Sequence, residues 1–99
     1  VMETLKIIWT NKAKLQLKEL YKFYKEKSPQ GAKNIKNDIL KATKELVFSK
    51  QYQADEIEPS FRRIIVRNYK IIYKVDATTI AVLRIFDTRQ NPFKQLKNQ

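Results

Sequence analysis

The chain has 99 residues, 42% of them hydrophobic, and carries 21 Lys and Arg against 10 Asp and Glu for a formal net charge of +11. That size fits one ordered domain, residues 1–99, with one modest core and no large substrate chamber. With no Cys and no His, disulfides, thiolate metal sites, zinc chemistry and Ser-His-Asp catalysis are excluded.

No apolar run approaches the roughly 18 residues of a membrane span. The opening Val1-Met2-Glu3-Thr4-Leu5-Lys6 lacks the apolar stretch of a signal peptide. The expectation is a cytoplasmic protein without membrane contact. Leu5 to Thr10 is a short β-type run of branched and aromatic residues. Thr10 or Asn11 can cap a helix starting there. Ala13, Leu17, Leu20, Tyr21 and Tyr24 then recur at helical spacing and predict an amphipathic helix over 12–27. Ser28 as N-cap and Pro29 as first helical residue start a second one, over 29–48. Its buried stripe is Ala32, Ile35, Ile39, Ala42 and Leu46. Two such helices with a short joint make an antiparallel hairpin.

Residues 49–60 read as a loop, with an acidic patch at Glu56 and Glu58 beside Pro59. Three β-type runs come after it: 62–66, 69–75 and 80–86. Arg67-Asn68 suits a tight hairpin turn, and Asp76 to Thr79 joins the second run to the third. The order is β-α-α-β-β-β. The expected fold is α+β: an antiparallel three-stranded meander, the first strand added at its edge, and both helices on one face.

Charge is uneven along the chain. Residues 1–59 hold 12 basic and 8 acidic residues, and residues 60–99 hold 9 and 2. The excess lies in the sheet half, at Arg62, Arg63, Arg67, Lys70, Lys74, Arg84, Arg89, Lys94 and Lys97. A sheet face carrying Arg and Tyr suits nucleic-acid phosphates and bases, or an acidic protein segment. The same charges also serve simply to keep a sheet face in water. For catalysis the available groups are Lys70, Lys74, Tyr69, Tyr73, Asp87 and the arginines, none an evident base at neutral pH. Tyr69 and Tyr73 fit sheet packing better. No phosphate-binding loop, dinucleotide fingerprint or calcium loop is present, so neither cofactor, metal nor small-molecule substrate is expected.

The stretch Phe61 to Val75, with Arg62-Arg63, Tyr69-Lys70-Ile71 and Tyr73 inside it, and the ending Val82-Leu83-Arg84-Ile85-Phe86-Asp87-Thr88-Arg89-Gln90-Asn91-Pro92 resemble the RelE/ParE superfamily of bacterial toxins. The resemblance covers nearly the whole chain. It implies the toxin of a type II toxin–antitoxin module. RelE-like members cut mRNA on the ribosome, whereas ParE-like members poison DNA gyrase. For a nuclease, the residues carried over are Arg62, Arg63, Lys70, Arg84 and Arg89; Arg67 joins them as a target-binding candidate. Lysines of the nuclease branch are replaced here by Arg, and Phe86-Asp87 stands where some nucleases carry a His-Tyr pair. These departures favour the ParE-like branch. The alternatives are a RelE-like ribosome-dependent endoribonuclease and a non-toxic basic nucleic-acid-binding module. The resemblance also implies an acidic antitoxin. Tyr21, Phe23 and Tyr24 are its candidate anchors, and Phe23 is preferred because it lies off the buried stripe.

Overall fold

The computed structural model describes residues 5–46 and 51–97. Strand β1 spans Lys6–Trp9, helix α1 Asn11–Lys25 and helix α2 Pro29–Lys44. Thr10 caps α1, its hydroxyl accepting from the Ala13 N–H at 3.2 Å. Ser28 caps α2 from the Gly31 N–H at 3.0 Å, with Pro29 at the first position, where its missing N–H costs nothing. Both caps stand where the sequence placed them. The helices end earlier than expected, at Lys25 and Lys44, and the expected positions 47 and 48 lie outside the described residues.

Strands β2 (Arg62–Val66), β3 (Tyr69–Asp76) and β4 (Thr79–Asp87) form the antiparallel meander, and β1 pairs parallel with β4. The sheet order is β1-β4-β3-β2. Both hairpin turns are two residues long and put a non-glycine residue in the left-handed region, Arg67 at φ 55° and Ala77 at φ 53°. The second turn is tighter than the sequence indicated, because β3 and β4 pair out to Asp76 and Thr79. A short helix, α3 (Lys94–Lys97), comes after the sheet and was not expected.

The core lies between the helix pair and one sheet face. Ala13 and Leu17 of α1 and Ile35 and Ile39 of α2 meet Ile64, Tyr69, Ile71, Tyr73, Ile80, Val82 and Ile85. Tyr69 and Tyr73 are buried there, as their packing reading anticipated. One irregularity decides the other face. Between Ile72 and Tyr73 the β3–β4 register shifts: Tyr73 pairs with Val82 and Ile72 with Arg84, leaving Leu83 as an extra residue. A bulge of this kind reverses the alternation beyond it. Ile80 and Val82 therefore face the helices before it and Ile85 after it. Arg84 and Phe86 turn to the opposite side.

Candidate functional site

Three places gather charged side chains, and two of them are also concave and carry aromatic residues. The first is the sheet face away from the helices. Residues 51–61 cross it as a strap, tied by the Asp55 N–H to Phe61 C=O bond (2.9 Å) and the Arg63 N–H to Gln53 C=O bond (3.2 Å). Asp55 Oδ2 also accepts from the N–H groups of Ile57 (3.1 Å) and Glu58 (2.8 Å), which folds the strap inward. Its three carboxylates meet three cations, one from each strand of the meander. Lys70 Nζ is 2.7 Å from Asp55 Oδ1 and 3.1 Å from Glu56 Oε1. Arg63 Nε donates to Glu56 Oε2 at 2.7 Å. Arg84 Nη2 pairs with Glu58 Oε1. Gln95 of α3 closes the cluster, accepting from Lys70 Nζ (3.0 Å) and donating to Asp55 Oδ2 (2.8 Å) and Glu58 Oε1 (2.6 Å).

Lys70 is 5% exposed, Arg84 4% and Gln95 0%. Burial pushes the Asp55 carboxyl up. The Lys70 ammonium, with the Gln95 amide and the Glu58 N–H, more than reverses this and holds it below the ordinary carboxylate value. The face expected to offer open cations therefore presents Lys70 and Arg84 neutralised and covered. Glu56 and Glu58 are legible in the sequence as an acidic patch, but their pairing with the sheet is not. Asp55 and Gln95 are not among the candidate residues; three carboxylates within four residues of a basic chain are the available signal.

The remaining candidate cations lie elsewhere. Arg62 points to the helix side of β2 and donates from Nη1 to the Tyr52 carbonyl at 2.6 Å. Arg67, in its turn, binds Asp38 of α2 at 2.8 Å. Arg89, beyond β4, binds Asp87 and Tyr24. The six cations nominated from sequence thus divide among the strap face, the β2 edge and the exit of β4.

The second place is a groove of about 600 Å³ between α1, α2 and edge strand β1. Ile7, Ile8, Trp9, Leu17 and Leu40 give it an apolar lining, and Lys14, Lys18 and Lys36 line it with them. Tyr21 lies among these lysines, with Lys36 Nζ 5.1 Å from its ring centre. Nothing in the sequence reading joined β1 to these lysines, because the groove is closed by a contact between distant segments.

The third is a cleft of about 380 Å³ on the other flank of α1, where Gln16, Glu19, Leu20, Phe23 and Tyr24 approach Asp87, Arg89 and Gln90. Tyr24 Oη accepts from Tyr69 Oη (3.0 Å) and Arg89 Nη2 (3.1 Å). These bonds draw the Tyr24 phenol below its ordinary value. Burial and its bond to Tyr24 push Tyr69 up. The bond from Arg89 holds the Asp87 carboxyl down. Phe23 lies here, 54% exposed, and not in the groove that receives Tyr21.

Among the described residues there is no cluster of carboxylates able to hold a metal ion, and no helix is long and apolar enough to cross a membrane. The family model of the ParE toxin of the type II toxin–antitoxin system parDE matches residues 7–92. The chain belongs to the ParE toxin family. It falls in the branch the sequence favoured, and within a type II toxin–antitoxin family. A solved structure of a chromosomal ParDE toxin–antitoxin system from P. aeruginosa shares the fold at a TM-score of 0.75 and 22% identity. The match covers 85% of this chain and 96% of that one. No curated protein matches the sequence.

Proposed function

We propose that this ParE-family chain arrests bacterial growth by binding DNA gyrase, and that an acidic antitoxin silences it. The observation that carries the choice of target is the strap. A ribosome-dependent nuclease needs cations open to phosphate and a group able to move a proton. Here Lys70 and Arg84 are buried against Asp55 and Glu58, and Arg63 is held by Glu56. An inhibitor that works by binding needs neither open cations nor a base.

The groove supports the antitoxin half of the reading. An amphipathic helix with one apolar stripe and acidic flanks matches an apolar channel bordered by Lys14, Lys18 and Lys36. The net charge of +11 speeds encounter with such a chain. The ParDE name of the similar structure fits a toxin of this kind.

Separate measurements test the two halves. In pulse labelling after induced expression, DNA synthesis falls before protein synthesis, and purified toxin blocks supercoiling by gyrase. Early loss of translation with gyrase unaffected refutes it. For the antitoxin, co-expression with the neighbouring acidic gene relieves arrest and the two proteins co-purify. Lys18→Glu weakens that complex about tenfold or more, by placing a like charge against the acidic helix. Unchanged affinity removes the groove from the interface.

A further inference from the structure

The cleft at the exit of β4 is not part of the groove. Residues 14, 17, 18 and 21 of α1 line the groove, and residues 16, 19, 20, 23 and 24 line the cleft. At about 100° per residue these are two separate flanks of one helix. A chain seated in the groove leaves the cleft open.

The cleft is also organised. Arg89 is held by Asp87 through Nε (3.0 Å) and Nη2 (2.9 Å), and by Tyr24. Phe23 meets Tyr24 edge-on, with centroids 5.2 Å apart and planes at 86°. Lys27 Nζ stands 4.4 Å from the Phe23 ring centre. Tyr24 Oη already accepts two hydrogen bonds, so its own proton remains to be donated. Both donors draw electron density from that oxygen, and its phenol is acidified. Exposed ion pairs such as Arg89–Asp87 add little to folding. With Phe23 and Arg89 exposed and Tyr24 half-buried against the core, this hydrogen-bonded Phe-Tyr-Arg cluster is instead the composition that carries protein–protein affinity, because little side-chain freedom is lost on docking.

We infer that this cleft is the docking surface for the toxin's target: a protein surface that lays an apolar side chain on Phe23 and brings a carbonyl or carboxylate oxygen to the Tyr24 hydroxyl and Arg89. The inference rests on the toxin reading above. A protein fits better than nucleic acid on charge. Glu19 and Asp87 share the cleft with Arg89, so it lacks the one-sided positive field that a phosphate backbone selects.

The test separates the two surfaces. Phe23→Ala, Arg89→Ala and Tyr24→Phe are made in the full chain. Each is assayed for growth arrest on induction, for gyrase inhibition and for affinity to the co-expressed antitoxin. Phe23→Ala and Arg89→Ala raise the half-inhibitory concentration by about thirtyfold, the effect of losing a dominant interface residue. Tyr24→Phe, which keeps the ring, raises it about tenfold. Antitoxin affinity stays within about threefold, which also shows that the variants are folded. Arrest at wild-type strength in these variants overturns the inference, whatever the target. Loss of antitoxin binding in folded variants overturns it as well, since the cleft then belongs to the antitoxin. A single-stranded DNA 20-mer that binds wild type and is lost in the variants overturns the protein occupant. If the variants lose arrest while wild type leaves gyrase untouched, the cleft stands and the choice of gyrase falls. A wild-type chain that arrests nothing overturns both readings.

Discussion

Lys70→Met tests whether the cations of the sheet are structural. The Lys70 side chain is 6% exposed and that of Asp55 0%. Removing the ammonium leaves the Asp55 carboxylate with Arg63 Nε, at 3.7 Å, as its remaining ion-pair partner among the described residues. Breaking one side of a buried pair costs about 3–5 kcal/mol. Arg63, the two backbone N–H groups and the Gln95 amide on Oδ2 offset part of this, so about 3 kcal/mol is expected. Domains of this size have about 5–15 kcal/mol in total, and a loss of about 3 kcal/mol lowers Tm by about 12–24 °C. Urea unfolding at pH 7 measures it, with the slope unchanged. The sign with pH comes from Asp55. In the wild type its carboxyl lies below its unfolded value of about 3.9, so its contribution is full above that pH and is lost as pH falls through the folded value. In Lys70→Met burial pushes the carboxyl up, so the variant recovers relative to wild type on acidification. The gap narrows toward pH 4. Asp55→Asn on top of Lys70→Met recovers part of the loss at pH 7. A gap below about 1 kcal/mol, or one constant from pH 7 to pH 4, would refute the buried pair and reopen this face to polyanions.

Ala77→Gly raises stability by up to about 1 kcal/mol in thermal melts, because Ala77 is held at φ 53° where a Cβ is unfavourable; destabilisation would contradict that backbone. Thr10→Ala costs about 1–2 kcal/mol by urea unfolding, since one hydroxyl both caps α1 and donates to the Leu83 carbonyl at 3.0 Å. Thr10→Ser recovers most of it, and an equal loss in both variants would place the effect elsewhere.

Hydrophobic period decided much of the fold. The stripes through Leu17 and Ile39, the caps Thr10 and Ser28, and alternation around Ile71 specify a helix pair and a meander, because these signals are local. The family motif was equally legible, running through Arg62-Arg63, Tyr69-Lys70 and Leu83-Arg84. The destination of the charges was not. Helical spacing sets which residues share a flank of α1, yet only the packed chain brings Lys14 and Lys18 beside β1, and Phe23 beside the exit of β4. The sheet half looked open because its acidic partners precede it in the chain. Charge totals along a sequence carry no information on where a loop folds back. The bulge at Leu83 was likewise invisible: a strict period of two puts Arg84 on the side of Val82, among the helices. One extra residue in β4 turns it to Glu58 instead. Local patterning reports what each segment prefers. The Arg84–Glu58 pair joins residues 26 positions apart, and a contact of that kind is settled only when the segments meet.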